Sequence, residues 1–242
     1  MALTDDAIAR LRGMIQSGEL PPGARLAPEH ELAAQIGLSR GGVREAVKVL
    51  EAARVLEVRR GDGTYVTSLA PSLLLEGVGL AVDLLQGETL LEVMEVRRLL
   101  EPATTALAAQ RISGEQLAEL AGLLYSMRES TGDAEQLMQY DVAFHRAVAA
   151  ASGNETLTSL LDGLSGRTVR ARIWRGLVLG NVADATVGEH QAIYEALRSG
   201  DPALAQAAAL MHVSSSESWL RDLLARSRSG GESVDEPVAV GR

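Results

Sequence analysis

The chain has 242 residues and a formal net charge of −9, from 23 Lys and Arg against 32 Asp and Glu. This length indicates one large domain or two modest ones, and 46% hydrophobic but only 3% aromatic residues favour a core of packed aliphatic helices. The lack of cysteine excludes disulfides and thiolate metal ligands and fits a cytoplasmic protein. We expect no membrane span, which needs roughly 20 apolar residues, and no signal peptide, because MALTDDAIARL lacks basic charge.

The first 68 residues predict three helices and a hairpin. A helical pattern covers 4–17, a second helix follows Pro28 and stops at Gly37, and a third begins at Ser39. Two short runs with β-branched residues, VLEVRR and TYVTSL, then flank a Gly-Asp-Gly turn, which is a hairpin signal. This order of elements predicts a winged helix-turn-helix DNA-binding domain over 1–68.

Beyond residue 68 the pattern is helical. Ala70-Pro71-Ser72 predicts a linker at 69–72, and we expect an all-α antiparallel bundle of about seven helices over 73–226. The polar segment 227–242 is expected to be disordered. The fold class is therefore mostly α with a small β-hairpin wing. The predicted helices lie near 73–86, 90–110, 114–130, 134–151, 155–178, 184–199 and 202–226.

The acidic excess is confined to the second part of the chain. Residues 1–68 carry nine basic and nine acidic side chains, whereas residues 69–242 carry 14 and 23. An acidic second domain would repel DNA and so bias how the first domain approaches it. The net negative charge is therefore compatible with DNA binding by the N-terminal domain.

The third predicted helix carries the candidate DNA-reading residues. In a helix-turn-helix, the start of the second helix of the motif meets the base edges, and here that start comprises Ser39, Arg40, Gly41 and Gly42. Arg44 and Lys48 continue the face of Arg40, and arginine bonds both guanine and phosphate. Glycine weakens a helix, so we interpret the glycine pair as allowing close approach to DNA. The alternative is an ordinary solvated helix face.

The hairpin turn adds a second candidate DNA contact. Arg59, Arg60 and Gly61 place two cations on a tight turn that suits a minor groove or phosphates.

The segment GARLAPEHELAAQIGLSRGGVREAVKVLEAARVLEVRRGDGTYV resembles the winged-helix signature of the GntR family of transcription regulators. The resemblance implies DNA contacts by Ser39, Arg40 and Arg44, and by Gly61 in the wing. The chain departs from the family pattern at His30, where an arginine is usual, and at Gly41-Gly42, where larger residues are usual. We include His30 among the candidate DNA contacts and expect an operator sequence different from the usual one.

Three of the four histidines lie on the apolar stripes of three different predicted helices: His145, His190 and His212. Asp141 precedes His145 by four residues and therefore shares its helix face. For each histidine alone, a core histidine bonded to backbone is the ordinary interpretation. Three of them with one aspartate predict a divalent-metal site with nitrogen and oxygen ligands.

Residues 73–224 resemble the effector domain of the FadR subfamily, often called the FCD domain. The resemblance is carried by EVRRLLEP at 95–102, the Asp141-His145 spacing, ASGN at 151–154, Glu189-His190 and His212. It implies that Asp141, His145, His190 and His212 bind a divalent metal, with zinc expected first and nickel or manganese as alternatives.

A metal of five or six coordination sites would keep positions open for the carboxylate of a small organic acid. Arg97 falls on the inward stripe of its helix and is the candidate residue for holding that carboxylate, because a buried guanidinium needs an anionic partner. The alternative partner is a structural acid such as Glu101. The role of Arg167, Arg170, Arg172 and Arg175 stays open between a solvated face and a pocket.

These features predict a homodimeric cytoplasmic transcription regulator, without a membrane partner, that binds double-stranded DNA at a pseudo-palindromic operator. We expect repression modulated by a small organic acid, although activators occur in the family.

One rival is a metal-dependent enzyme. It would need a general base at the metal, and Glu189 lies about 100° around the helix from His190, so we expect it to point elsewhere. No HExxH or nucleophile motif occurs, and we predict that the chain is not an enzyme. A second rival keeps DNA binding but makes the metal purely structural, or the signal itself.

Overall fold

The computed structural model describes residues 2–85, 87–165 and 183–229. These residues form two compact units, the first ending at Gly77 and the second beginning at Val78. None of the helices in the described ranges is both long enough and apolar enough to cross a membrane.

The first unit is the predicted winged helix-turn-helix. Its elements are α1 (Ala2–Gln16), α2 (Glu29–Ile36), α3 (Arg40–Ala52), β1 (Leu56–Arg59), β2 (Gly63–Val66) and α4 (Pro71–Leu74). The two strands pair antiparallel, with Leu56 opposite Val66 and Arg59 opposite Gly63. Leu11, Val43 and Leu56 are among the buried residues that join the helices to the hairpin in one apolar core.

Two local devices set the start of α3. Gly37 ends α2 at a φ of +68°, a left-handed conformation that glycine adopts without steric strain. Ser39 then caps α3, its hydroxyl accepting the Gly42 N–H at 3.1 Å. The sequence signals at Gly37 and Ser39 are therefore confirmed as the turn of the motif.

The second unit is all-helical in the part that the structure describes. Its helices are α5 (Glu76–Asp83), which begins just before the boundary, α6 (Thr89–Ala109), α7 (Gly114–Glu129), α8 (Ala134–Ala151), α9 (Glu155–Leu164), α10 (Ala183–Ser199) and α11 (Pro202–Ser229). The longest two, α6 and α11, pack along each other, and α7 packs against α8. Phe144, Leu137 and Ile193 are fully buried in the common core.

Most predicted helices agree with the observed ones to within a few residues. The exception is the single helix predicted at 73–86, which is divided at Leu75 into α4 and α5. Gly77 and Gly79 lower the helix propensity of this stretch, and Gly79 lies against the backbone of Gly163. Of the helix predicted at 155–178, the structure describes only α9 and the residue after it.

Two further predictions fall wholly or partly outside the described residues. They are the arginine cluster at 167–175 and the disordered tail at 227–242, whose first three residues continue α11.

Candidate metal centre and nucleic-acid interface

Three helices bring the four predicted metal ligands together. Asp141 and His145 lie one turn apart on α8, His190 lies on α10 and His212 on α11. Asp141, His190 and His212 are at most 2% exposed, and the His145 side chain is 11% exposed. One ligand atom from each residue lies within 4.8 Å of the others. These four residues, called the metal group below, could therefore hold a metal ion.

The Nε2 atoms of two imidazoles face one carboxylate oxygen. Nε2 of His190 lies 2.9 Å from Oδ1 of Asp141, and Nε2 of His145 lies 3.5 Å from the same atom. The His212 ring stacks on His145, with ring centroids 5.0 Å apart. The Phe144 ring packs against His190 in a T-shaped arrangement, with ring centroids 5.2 Å apart.

The opposite nitrogen of each imidazole meets an oxygen atom. Nδ1 of His190 lies 2.8 Å from the Thr186 carbonyl oxygen, one turn earlier on α10. Nδ1 of His212 lies 3.0 Å from Oε2 of Glu189, and Nδ1 of His145 lies 3.4 Å from Oε2 of Glu101. Such outer contacts orient the ring and fix its tautomer in metal sites.

These contacts fit a cation at the centre of the group. A carbonyl oxygen only accepts, so His190 donates from Nδ1, and the Nε2 of a neutral ring then turns a lone pair towards Asp141. Two acceptor atoms 2.9 Å apart repel each other unless a proton or a metal ion is shared between them. Nε2 of His145 is likewise buried and has no hydrogen-bond partner among the described residues. The donor set suits borderline divalent metals and does not distinguish among them.

Burial disfavours the charged form of two of the rings. It lowers the pKa of His190, although the hydrogen bond and charge of Asp141 act in the opposite direction. Burial, reinforced by the neighbouring His190 and His145, lowers the pKa of His212 well below its usual value. A neutral imidazole is the form that binds metal, so burial favours the form of these two rings that a metal ion needs.

Arg97 lies inward, as the sequence predicts, and contacts an acid of its own helix. It is 1% exposed, and its Nε donates to Oε1 of Glu101 at 2.6 Å. This is the structural alternative considered above, and a role for Arg97 in effector binding stays a prediction. Because the other carboxylate oxygen of Glu101 faces His145, Arg97 supports the metal group through Glu101.

The expectation that Glu189 points away from the site is wrong. Glu189 lies on a different face of α10 from His190. That face packs against α11, where the Glu189 carboxylate contacts His212. Burial raises the pKa of Glu189, while a hydrogen bond from Ser215 lowers it. Sequence reasoning missed this contact because the packing of α10 on α11 is not encoded in the spacing along either helix.

A small cavity adjoins the metal group in the described part of the second unit. Its volume is about 20 Å³ and its lining includes Glu101, Thr104 and His145. That volume holds about one water molecule.

The exposed face of α3 carries most of the predicted DNA contacts. Arg40, Gly41, Arg44 and Lys48 are exposed, whereas Gly42 is buried and gives its N–H to the Ser39 cap. Arg44 forms a two-pronged ion pair with Glu29 of α2, with Nε–Oε2 and Nη2–Oε2 distances of 3.0 and 2.7 Å. Lys48 pairs with Glu45 at 2.9 Å. Sequence analysis named neither acid.

The wing presents Arg59 and Arg60 at its exposed tip. Gly61 has a φ of +76°, which explains a glycine in this turn. Arg59 lies over the Tyr65 ring, 4.3 Å from its centroid, and Arg25 donates to the Asp62 carbonyl oxygen. The guanidinium of Arg25 also passes so close to Gly63 that a Cβ there would lie 2.7 Å from its Nε.

His30, the fourth histidine, is exposed on α2, with Nε2 3.7 Å from Oε1 of Glu31. It takes no part in the metal group.

Two family models match the chain. The model described as "Bacterial regulatory proteins, gntR family" matches residues 3–66, and the FCD domain matches residues 92–215. The chain is 34% identical over 212 residues to "HTH-type transcriptional regulator LutR" of Bacillus subtilis, covering 86% of this chain and 96% of that protein. It is 31% identical to "Galactonate operon transcriptional repressor" of Escherichia coli, with 91% and 97% covered.

A solved structure extends the likeness to three dimensions. "Streptococcus agalactiae GntR" is 31% identical, covers 88% of this chain and 98% of its own, and aligns with a TM-score of 0.62. These matched proteins are transcription regulators rather than enzymes. The chain therefore belongs to the GntR family of DNA-binding transcription regulators and, by its FCD domain, to the FadR subfamily.

Proposed function

We propose that this regulator binds a pseudo-palindromic operator as a homodimer, represses transcription, and responds to a small carboxylate at a divalent metal, zinc in the first instance. The metal ligands are Asp141, His145, His190 and His212. The observation that carries the proposal is the convergence of these four side chains from three helices on one buried point.

The residues around this point have separate tasks. Asp141 supplies the one negative charge among the ligands, and the three imidazoles supply neutral nitrogen. Glu101 and Thr186 hold the outer nitrogens of His145 and His190. When bound, a metal with more than four coordination sites would offer its open positions to the carboxylate of an acid.

The names of two relatives support an acid as the signal. One is the galactonate operon repressor, and another, 30% identical over 220 residues, is "Putative L-lactate dehydrogenase operon regulatory protein" of Escherichia coli. Galactonate and L-lactate are both hydroxy acids. We infer that a hydroxy acid or sugar acid is the class of effector for this chain.

DNA reading is assigned to the first unit. Ser39, Arg40, Gly41, Arg44 and Lys48 would meet the major groove, with Gly42 contributing through the helix cap. Arg60 and Gly61 would meet the adjacent backbone or minor groove, and His30 would take the place of the usual arginine. Phosphate contacts by these cations would make affinity fall with salt.

Exposed apolar pairs on the second unit support self-association. Leu80 of α5 and Leu84, the residue that follows this helix, are 68% and 74% exposed. Val96 and Leu99 are also exposed and lie on one face of α6. A two-fold dimer would present two winged helices to two operator half-sites. The acid can regulate only if it prefers one placement of those winged helices.

Thermal melting tests the effector proposal. We expect that, with zinc, at least one of a panel of hydroxy acids and sugar acids raises the melting temperature, because a ligand of the native state stabilises it by mass action. The same acid should leave chelator-stripped protein and a His190→Gln variant unchanged. A His30→Gln variant is the matched control, since it removes an exposed histidine outside the group.

A second candidate function is a structural or metal-sensing site. The observation that favours it is the small size of the cavity beside the group, about 20 Å³ among the described residues. Stabilisation by zinc alone, with no acid adding to it, would support this candidate and contradict the carboxylate proposal.

A further inference from the structure

The three imidazoles of the metal group are supported unequally. His190 is held by the Thr186 carbonyl, a backbone atom of its own helix that cannot move independently. His145 faces Glu101, whose carboxylate is fixed by the buried Arg97. His212 instead depends on the side chain of Glu189, which belongs to a different helix and is 31% exposed.

The contact of Glu189 sets which nitrogen of His212 faces the group. A carboxylate accepts, so the His212 ring donates from Nδ1, and the lone pair of the neutral ring is then on Nε2. Without this acceptor, no other contact seen among the described residues favours a proton on Nδ1 of His212. A proton on Nε2 would turn an N–H into the group and block metal coordination there.

We propose that Glu189 is the positioning residue of the metal centre, fixing the tautomer and orientation of His212 through a hydrogen bond that joins α10 to α11. The inference rests on the proposed metal centre and adds one residue and one role to it. Glu189 is not itself one of the four converging ligands.

The first measurement is the zinc affinity of variants, by competition with a chromophoric chelator. Outer partners of metal-bound histidines typically change affinity about 10- to 100-fold, so we expect such a loss in Glu189→Ala. Glu189→Gln keeps a carbonyl oxygen that can accept from Nδ1, and its affinity should return to within a few-fold of the wild type. Glu195→Ala is the matched control: its acid lies on the same helix and bonds Gln191 and Arg198 instead.

The second measurement reads the tautomer directly in metal-free protein. The chain has four histidines, so ¹⁵N shifts of their ring nitrogens give a simple spectrum, and a His212→Gln variant identifies the signals of His212. We expect protonated Nδ1 and bare Nε2 in the wild type and in Glu189→Gln. In Glu189→Ala the Nε2–H form should increase, while His190 keeps its tautomer.

The two measurements separate the possible failures. Unchanged zinc affinity and an unchanged His212 tautomer in a folded Glu189→Ala variant would overturn the positioning role and leave the metal centre standing. If the wild type binds no zinc, the metal centre is wrong, and the tautomer of His212 still decides whether Glu189 positions the ring. Thermal melting of each metal-free variant shows whether it is folded.

Discussion

At the scale of single residues, the buried arginine Arg97 is explained by the acid that neutralises it. Arg97 and Glu101 lie one turn apart on α6, almost fully buried, and neutralise each other. A guanidinium on an inward stripe predicts an anionic partner, and the structure supplies that partner from its own helix. Sequence analysis named this pairing as an alternative, and only the rotamers of the two side chains decide it.

Replacing Arg97 with methionine should lower the free energy of unfolding by about 3–5 kcal/mol, because the buried Glu101 carboxylate would lose the guanidinium that neutralises it. The double variant Arg97→Met, Glu101→Gln should recover much of this loss. Urea unfolding of metal-free protein at one fixed concentration measures both. A single variant as stable as the wild type would show that the pair is not needed and would restore the case for Arg97 as an effector ligand.

The ion pair between Glu29 and Arg44 bears on DNA reading. Arg44 pulls the pKa of the Glu29 carboxyl below its usual value, so this carboxylate is charged at neutral pH and holds the guanidinium. Glu29→Gln should strengthen operator binding by about two- to fivefold, the scale of an exposed pair, because it frees Arg44 and removes a negative charge.

Fluorescence anisotropy on an operator selected from random duplexes checks this change. Glu19→Gln removes the same charge from an exposed position in the first unit and serves as the control. Weaker binding by Glu29→Gln would mean that Glu29 aims Arg44 at the DNA rather than competing with it.

At the scale of elements, the sequence predicted the helices and the hairpin, because apolar periodicity and turn residues act locally along the chain. Apolar periodicity located α6 to α8, α10 and α11, and the Gly-Asp-Gly turn located the hairpin. The same periodicity placed Asp141, His145, His190 and His212 on inward faces. The contacts of Glu29 with Arg44 and of Glu189 with His212 depend on how one helix packs on another, and one sequence contains no direct signal for that packing. The spacing of Glu101 and Arg97 allows their pairing, and the rotamers decide it.

Gly41 offers a test of the DNA-reading helix. It lies exposed in the first turn of α3, and a Cβ there would meet no atom within 4 Å. Gly41→Ala should therefore stabilise the folded protein, by up to about 1 kcal/mol from helix propensity. If the glycine is present for close approach to DNA, the same variant should bind its operator more weakly.

Urea unfolding and operator anisotropy together decide this prediction. A variant that is more stable and binds equally well would show that Gly41 has no part in DNA contact. Gly61→Ala is a useful contrast, because a φ of +76° makes alanine unfavourable by about 1–2 kcal/mol.

At the scale of the whole molecule, the distribution of charge matches the division of tasks. The N-terminal 68 residues carry equal numbers of basic and acidic side chains, with Arg40 and Arg44 on α3 and two more arginines at the wing tip, whereas the remaining residues carry the entire net charge of −9. Family membership makes the first unit a DNA-binding domain. The four candidate metal ligands lie wholly in the second unit, so the proposed regulation requires that a signal there reach the winged helices.

Self-association belongs to this scale. Sedimentation should give twice the mass of one chain. Replacing both Leu80 and Leu84 with aspartate should shift the protein towards monomer if this exposed apolar pair is part of the interface. A double variant with aspartate at Val96 and Leu99 tests in the same way whether the exposed face of α6 is part of the interface. If the wild type sediments as a monomer at micromolar concentration, this result would contradict the proposal that a homodimer binds a pseudo-palindromic operator.

The most direct test of the account is the operator affinity with and without metal and acid. With zinc bound, the acid that raises the melting temperature should weaken operator binding by at least about fivefold, the lower end of allosteric coupling between two sites. In chelator-stripped protein and in His190→Gln, the acid should have no effect. The same weakening without metal, or none in zinc-loaded protein, would contradict the claim that Asp141 and the three histidines form the sensing site.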